Sequence, residues 1–181
     1  MQDFDEAIEK TMVGLQKKNR VIKESERKIV AYHETGHALV AAFTEGSDPV
    51  HKISIIPRGV SALGYTLHRA EDESFLSTQK EMLAEVDCLL GGRGAEEVIF
   101  GEVSTGAAND IMRATGIIRR MITEYGMSDL GPVQLEHKSE GVFLGRDYTN
   151  NTKNFSDTVA LEIDQEVRKI IDDCYKKATK I

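Results

Sequence analysis

The segment His33-Glu34-Thr35-Gly36-His37 constrains this chain more than any other part of it. Apolar Ile29 and Val30 precede it and Val40 and Ala41 follow it at helical spacing, so the pattern predicts a helix. Ser25 is its expected N-cap, and it should run to about Glu45, stopped by Gly46 and then Pro49. Four residues of helix advance roughly 400°, so both imidazoles leave the same face one turn apart. Histidines on a buried apolar stripe must each find a partner. Two at this spacing can share a tetrahedral zinc ion at roughly 2.0–2.1 Å each. Glu34 sits nearly one turn before His37 and overhangs the open coordination position, where it can take a proton from water that the metal has acidified. His33 and His37 are therefore the candidate ligands and Glu34 the candidate catalytic base.

Such a site needs a third protein ligand. A metzincin would carry a glycine three residues after His37 and a histidine three beyond that, but Val40 and Phe43 stand there. In thermolysin-like sites a carboxylate on a following helix completes the set, and the candidates here are Glu96, Glu97 and Asp110. Asp110 is the most suggestive, because Ala114, Ile117 and Met121 follow it on one apolar helical face, where a carboxylate must be paired or metal-bound. The competing reading makes Asp110 a helix cap, sharing that task with Ser104, Thr105 or Asn109. Glu97 is expected to orient one imidazole from behind the metal. His51, His68 and His137 lack partner spacing and are read as surface or loop residues.

The rest of the chain predicts a mainly α fold with a small β element: a zincin-type metal helix in a helical peptidase domain. Residues 3–18 carry Phe4, Ile8, Met12 and Leu15 at helical spacing, interrupted by Gly14. Short strands are expected at His51–Ile56 and Gly64–His68. Thr78 with Glu81 forms a capping box for a helix to Leu90, broken by Gly91-Gly92 and followed by a shorter helix around Ala95–Val98. Another helix is expected from Ala107 to Tyr125, closed by Gly126, then loop with short extended pieces over 127–152. A last helix, Asp157 to Ala178, places Val159, Ile163, Val167, Ile170, Cys174 and Ala178 on one face. The division reads as a linker helix over residues 1–24 and a zinc metallopeptidase domain over 25–181. An exposed edge of the strand pair can bind extended peptide through its main chain, which singles out Ile53, Ile55, Gly64 and Tyr65 as candidate substrate contacts.

Charge and cysteine content exclude other classes. With 23 basic and 30 acidic side chains the net charge is −7, which repels a nucleic-acid backbone. Cys88 and Cys174 have no neighbouring cysteine at metal-ligand spacing and read as buried thiols. No phosphate-binding G-x-x-x-x-G-K-[ST] loop occurs, so ATP is not expected to bind this chain. No window approaches the roughly 18 apolar residues that span a bilayer.

Four segments, SERKIVAYHETGHALVAAF, ISIIPRGVSALGYT, GGRGAEEVIFGEVSTGAANDI and EYGMSDLGPV, resemble the protease domain of the FtsH family of membrane-anchored, ATP-dependent zinc metalloproteases. The likeness covers nearly the whole chain. It implies one zinc per chain held by His33, His37 and Asp110, with Glu34 as the catalytic residue and Glu97 near the metal helix. It also implies a homo-hexameric protein with an ATPase ring that threads misfolded and membrane proteins at the cytoplasmic face of the inner membrane. On that reading the present chain is a soluble fragment, with ATP bound only by the full-length protein. Two positions depart from the family's usual pattern: Gly94, where alanine is common, and the SALG loop, where a bulkier or basic residue usually precedes ALG.

Overall fold

Two helices touch backbone to backbone, and the other elements are arranged around that contact. The computed structural model describes residues 7, 10, 11, 14, 15, 22–57, 63–68, 75–138, 151–153 and 155–181. Helix α1 (Glu24–Phe43) buries His33, Glu34, Gly36, His37, Val40 and Ala41. It packs chiefly against α2 (Gln79–Phe100). Its N-cap is Lys23, with no side-chain cap bond, rather than Ser25. Glu24 and Glu26 lie in the first turn instead, where their charge favours the positive end of the helix dipole. The helix ends at Phe43, two residues short of the expected Glu45, and Gly46 turns the chain at φ +88°.

The capping box that opens α2 is formed: Glu81 N–H donates to Thr78 Oγ1 at 3.2 Å and Thr78 N–H to Glu81 Oε2 at 2.7 Å. The expected break at Gly91-Gly92 is not. The helix passes through both glycines without interruption and ends only at Gly101, whose φ of +66° favours glycine. A β-carbon on Gly91 would lie 2.7 Å from the carbonyl oxygen of Gly36 and 2.9 Å from Val40 Cγ2. One on Gly36 would lie 2.6 Å from Ala95 Cβ and closer still to the carbonyl oxygen of Gly91. A helical glycine costs about 1 kcal/mol relative to alanine, and here the packing it permits outweighs that cost. The supposed separate helix around Ala95–Val98 is the end of α2.

A 3₁₀ turn at Thr105–Ala107 leads into α3 (Ala108–Thr123). Ser156 Oγ accepts from Val159 N–H to cap α4 (Asp157–Lys180). The core between α2, α3 and α4 centres on Val86, Leu90, Ile118, Met121, Ile122 and Ile163, each no more than 3% exposed. Cys88 and Cys174 are buried free thiols, as expected. Asp87, itself 1% exposed, forms an ion pair with Lys177 that ties α4 to α2.

Strand β1 (Val50–Ser54) pairs antiparallel with β2 (Tyr65–His68), setting Ile53 opposite Thr66 and Ser54 opposite Tyr65. Ile55, Ile56 and Gly64 fall just outside the strands. A second pair, β3 (Glu136–Lys138) with β4 (Asn151–Lys153), supplies the extended pieces expected within 127–152. The fold is mainly α with a small β element, as the sequence implied. The helix expected over residues 3–18, and with it the 1–24 linker, falls largely outside the described residues. Among the described residues no helix is long and apolar enough to cross a membrane.

The α1–α2 contact makes a stability prediction. Gly36→Ala overpacks it and should destabilise the chain by about 1–3 kcal/mol. Gly116→Ala, mid-helix on α3 with nothing within 4 Å of the added carbon, should instead stabilise by about 0.5–1 kcal/mol. Urea unfolding of the two variants side by side checks both signs.

Candidate metal centre

His33 and His37 present their Nε2 atoms to each other at 3.0 Å, with the rings edge to face. Asp110, from the first turn of α3, brings Oδ2 to 3.3 Å from His33 Nε2 and 3.6 Å from His37 Nε2. Among the described residues these three are the one group of His, Cys, Asp or Glu side chains whose ligand atoms all lie within 4.8 Å of one another.

The far side of each ring settles what the near side offers. His37 Nδ1 lies 2.7 Å from the Cys88 carbonyl oxygen, which can only accept, so Nδ1 carries the hydrogen. The lone pair of the neutral ring is then on Nε2, turned inward. His33 Nδ1 donates to Glu96 Oε1 at 2.8 Å and is set in the same tautomer. Two imidazole lone pairs and a carboxylate oxygen thus converge with no donor among them. A tetrahedral ion bound at about 2.0–2.1 Å keeps its ligand atoms roughly 3.3 Å apart. The observed separations of 3.0, 3.3 and 3.6 Å straddle that spacing, so the donor set fits zinc in number, type and geometry.

The electrostatics agree. Burial works against a charged His33, yet the carboxylates of Asp110 and Glu96 outweigh it and raise its pKa. Burial would lift the Asp110 carboxyl, but the facing imidazoles of His33 and His37, which hydrogen-bond to it once their Nε2 atoms take up a proton, hold it well below the usual carboxylate range. A pocket that attracts protons this way attracts a cation for the same reason.

Helix α2 reaches the rings only because residue 92 has no side chain. A β-carbon there would lie 2.6 Å from His33 Nε2 and 2.6 Å from His37 Nε2. One turn on, Glu96 is 1% exposed and accepts from Ser104 N–H at 2.6 Å and Ser104 Oγ at 3.0 Å as well as from His33. The carboxylate that orients an imidazole is therefore Glu96, not Glu97. Glu97 points about 100° away around the helix, where it is exposed and accepts from the Tyr175 hydroxyl. The cap reading of Asp110 also fails: α3 has Ala107 at its N-cap with no side-chain cap bond, and Ser104 Oγ accepts from Gly106 N–H at the preceding turn.

Glu34 lies beside the cluster, 7% exposed, with Oε2 accepting from Thr66 Oγ1 at 2.8 Å. Burial lifts its carboxyl above the usual range, against the opposing pull of the Thr66 hydrogen bond and the two imidazoles. The cluster and Glu34 open onto a cleft of about 1260 Å³. Of the four candidate substrate contacts, Gly64 and Tyr65 line this cleft; Ile53 and Ile55 do not. His68, half-buried on β2, lies 3.2 Å from the Asp48 carbonyl oxygen through Nδ1, and exposed His51 stands apart from the cluster. Sequence reasoning missed Thr66 and Gly92, and it considered Glu96 only as a ligand.

The sequence profile of Peptidase family M41 matches residues 20–181. The ATP-dependent zinc metalloprotease FtsH of Thermotoga maritima is 49% identical over the whole chain, which spans 30% of that relative. FtsH of Pseudothermotoga lettingae is 51% identical over the whole chain and 29% of its own length. For FtsH of Bacillus subtilis the figures are 51% identity, 99% of this chain and 28% of the relative. The chain thus spans less than a third of the length of these curated relatives.

The geometry predicts one zinc per chain, measured by competition with a chromophoric chelator. Asp110→Ala should weaken binding strongly through loss of a ligand. Glu96→Gln should cost about 10–100-fold through loss of the imidazole's support. Glu97→Gln should leave affinity unchanged, which separates the two neighbouring carboxylates.

Proposed function

The chain belongs to peptidase family M41, and on that premise we propose that it is a zinc metalloendopeptidase in which His33, His37 and Asp110 hold the metal and Glu34 moves the protons. One observation carries this reading: three inward-facing acceptor atoms at tetrahedral spacing, with a buried carboxylate next to them in a cleft. Bound zinc supplies Lewis acidity, which polarises the scissile carbonyl and lowers the pKa of water at the site.

The chain's own residues do the rest. Glu34 accepts a proton from the attacking water and returns it to the departing amine, so one carboxylate serves as base and then as acid. Glu96 and the Cys88 carbonyl hold the two imidazoles in the tautomer that leaves Nε2 free to bind the metal. The β2 end of the cleft, with Gly64 and Tyr65, offers an extended polypeptide a strand to lie along. Recognition through main-chain hydrogen bonds reads little of the side-chain sequence, so cleavage preference is weak. The relatives' names give only an ATP-dependent zinc metalloprotease; we infer beyond those words that a larger protein delivers unfolded or threaded chains, including misfolded and membrane proteins, to this domain. That larger protein is proposed to act as a homo-hexamer anchored at the cytoplasmic face of the inner membrane. ATP is bound by its other module and not by residues of this chain.

Glu34→Gln keeps the volume of the side chain and removes its basicity. It should retain one zinc per chain while casein hydrolysis falls by about 10²–10⁴-fold. Hydrolysis near the wild-type rate in a zinc-loaded Glu34→Gln protein rules out the assigned base.

A further inference from the structure

A carboxylate that shuttles a proton must be aimed as well as present, because a misplacement of about 1 Å can cost a hundredfold in rate. Helix α1 fixes where Glu34 begins but leaves its side-chain torsions open. Two features of the cleft wall close them. Thr66 Oγ1 lies 2.8 Å from Glu34 Oε2 and 3.1 Å from the Glu34 backbone carbonyl oxygen, and its single hydrogen favours the shorter, charge-assisted bond. Gly64 lies against the same side chain: a β-carbon there would sit 2.9 Å from Glu34 Oε1 and 2.9 Å from Cγ, and 2.7 Å from Val30 Cγ1. One carboxylate oxygen is thus held from β2, and the other faces a position where the wall has no side chain.

We propose that Thr66 is a positioning residue for the peptidase reaction, holding Glu34 Oε2 so that Oε1 is the oxygen that takes the proton from water and returns it to the amine. The inference rests on the reading of Glu34 as the base. It places the aim of the base under the control of β2, which borders the cleft and pairs with β1 at Ile53↔Thr66. Threonine suits the task for two reasons. Its β-branch favours the strand, and its hydroxyl reaches the helix from there.

The test measures kcat and KM on a fluorogenic peptide, together with zinc per chain, for the wild type, Thr66→Val, Thr66→Ser and Glu34→Gln. Thr66→Val, which keeps shape and strand preference, should lower kcat about 10–100-fold with KM within about twofold. Zinc should stay at one per chain, and a crystal structure of this variant should show the Glu34 carboxylate turned from its wild-type direction. Thr66→Ser should recover kcat to within about threefold of the wild type. Should Thr66→Val fail to fold, Thr66→Ala is read the same way. The proposal is overturned by a wild-type kcat in Thr66→Val, by loss of zinc from it, by a rise in KM alone, or by a Thr66→Ser as slow as the valine variant. Active, zinc-loaded Glu34→Gln overturns the assignment of the base itself; inactive Glu34→Gln beside a fast Thr66→Val overturns only the role of Thr66.

Discussion

The backbone contact between α1 and α2 is the constraint on which the proposed metal centre depends. Gly36 and Gly91 remove the two β-carbons that would hold these helices apart, and Gly92 removes the one that would strike the imidazoles. Any larger residue at 92 would push α2 outward and take with it the Cys88 carbonyl and the Glu96 carboxylate, the two groups that fix the rings. Close packing and ligand orientation therefore share one cause. In a close-packed interior a shift of a few tenths of an ångström is felt by every neighbour.

The same contact explains how so many polar groups are tolerated in the interior. His33, His37, Glu34 and Glu96 are all buried, and each would be costly there without partners. Every one has a partner drawn from a different element: Glu96 and the Cys88 carbonyl from α2, Asp110 from α3, Thr66 from β2. Only the inward Nε2 and Oδ2 atoms are left facing one another. Their mutual repulsion, relieved by protons or by a cation, makes the centre selective for a positive charge.

Much of this was legible in the sequence where local rules decide the outcome. The one-turn spacing of the histidines, the Thr78–Glu81 capping box and the amphipathic face containing Asp110 each follow from helix geometry alone. The glycine pair at 91–92 misled because, read locally, it breaks a helix, whereas its use is tertiary. That error carried the next one with it. Had α2 been continued from Thr78, its phase from Leu89 through Gly92 would have put Glu96 on the metal-facing side and Glu97 off it. With the helix ended at Leu90, nothing set the phase of residues 95–98. Thr66 left no comparable signal, because one hydroxyl in a four-residue strand makes no pattern. Its role comes from a residue 32 positions away in the chain.

The connection between α2 and α3 is where the centre is joined to folding. Gly101 turns the chain; Ser104 N–H and Oγ grip Glu96 behind His33; the Ser104 hydroxyl also receives Gly106 N–H; and Ala107, fully buried, seats the start of α3. Three residues later Asp110 enters the cluster from the front. One short stretch therefore supplies both the clamp behind the first histidine and the proposed acidic ligand ahead of it. If this loop loosens, the site loses Asp110 and the ordering of His33 together. On the proposed reading, a cation bound between them would oppose that loosening, and its binding free energy would also be free energy of folding for the α2–α3 unit. The proposed centre is thus better described as a tertiary contact that an ion would complete than as a helix motif to which an ion is added.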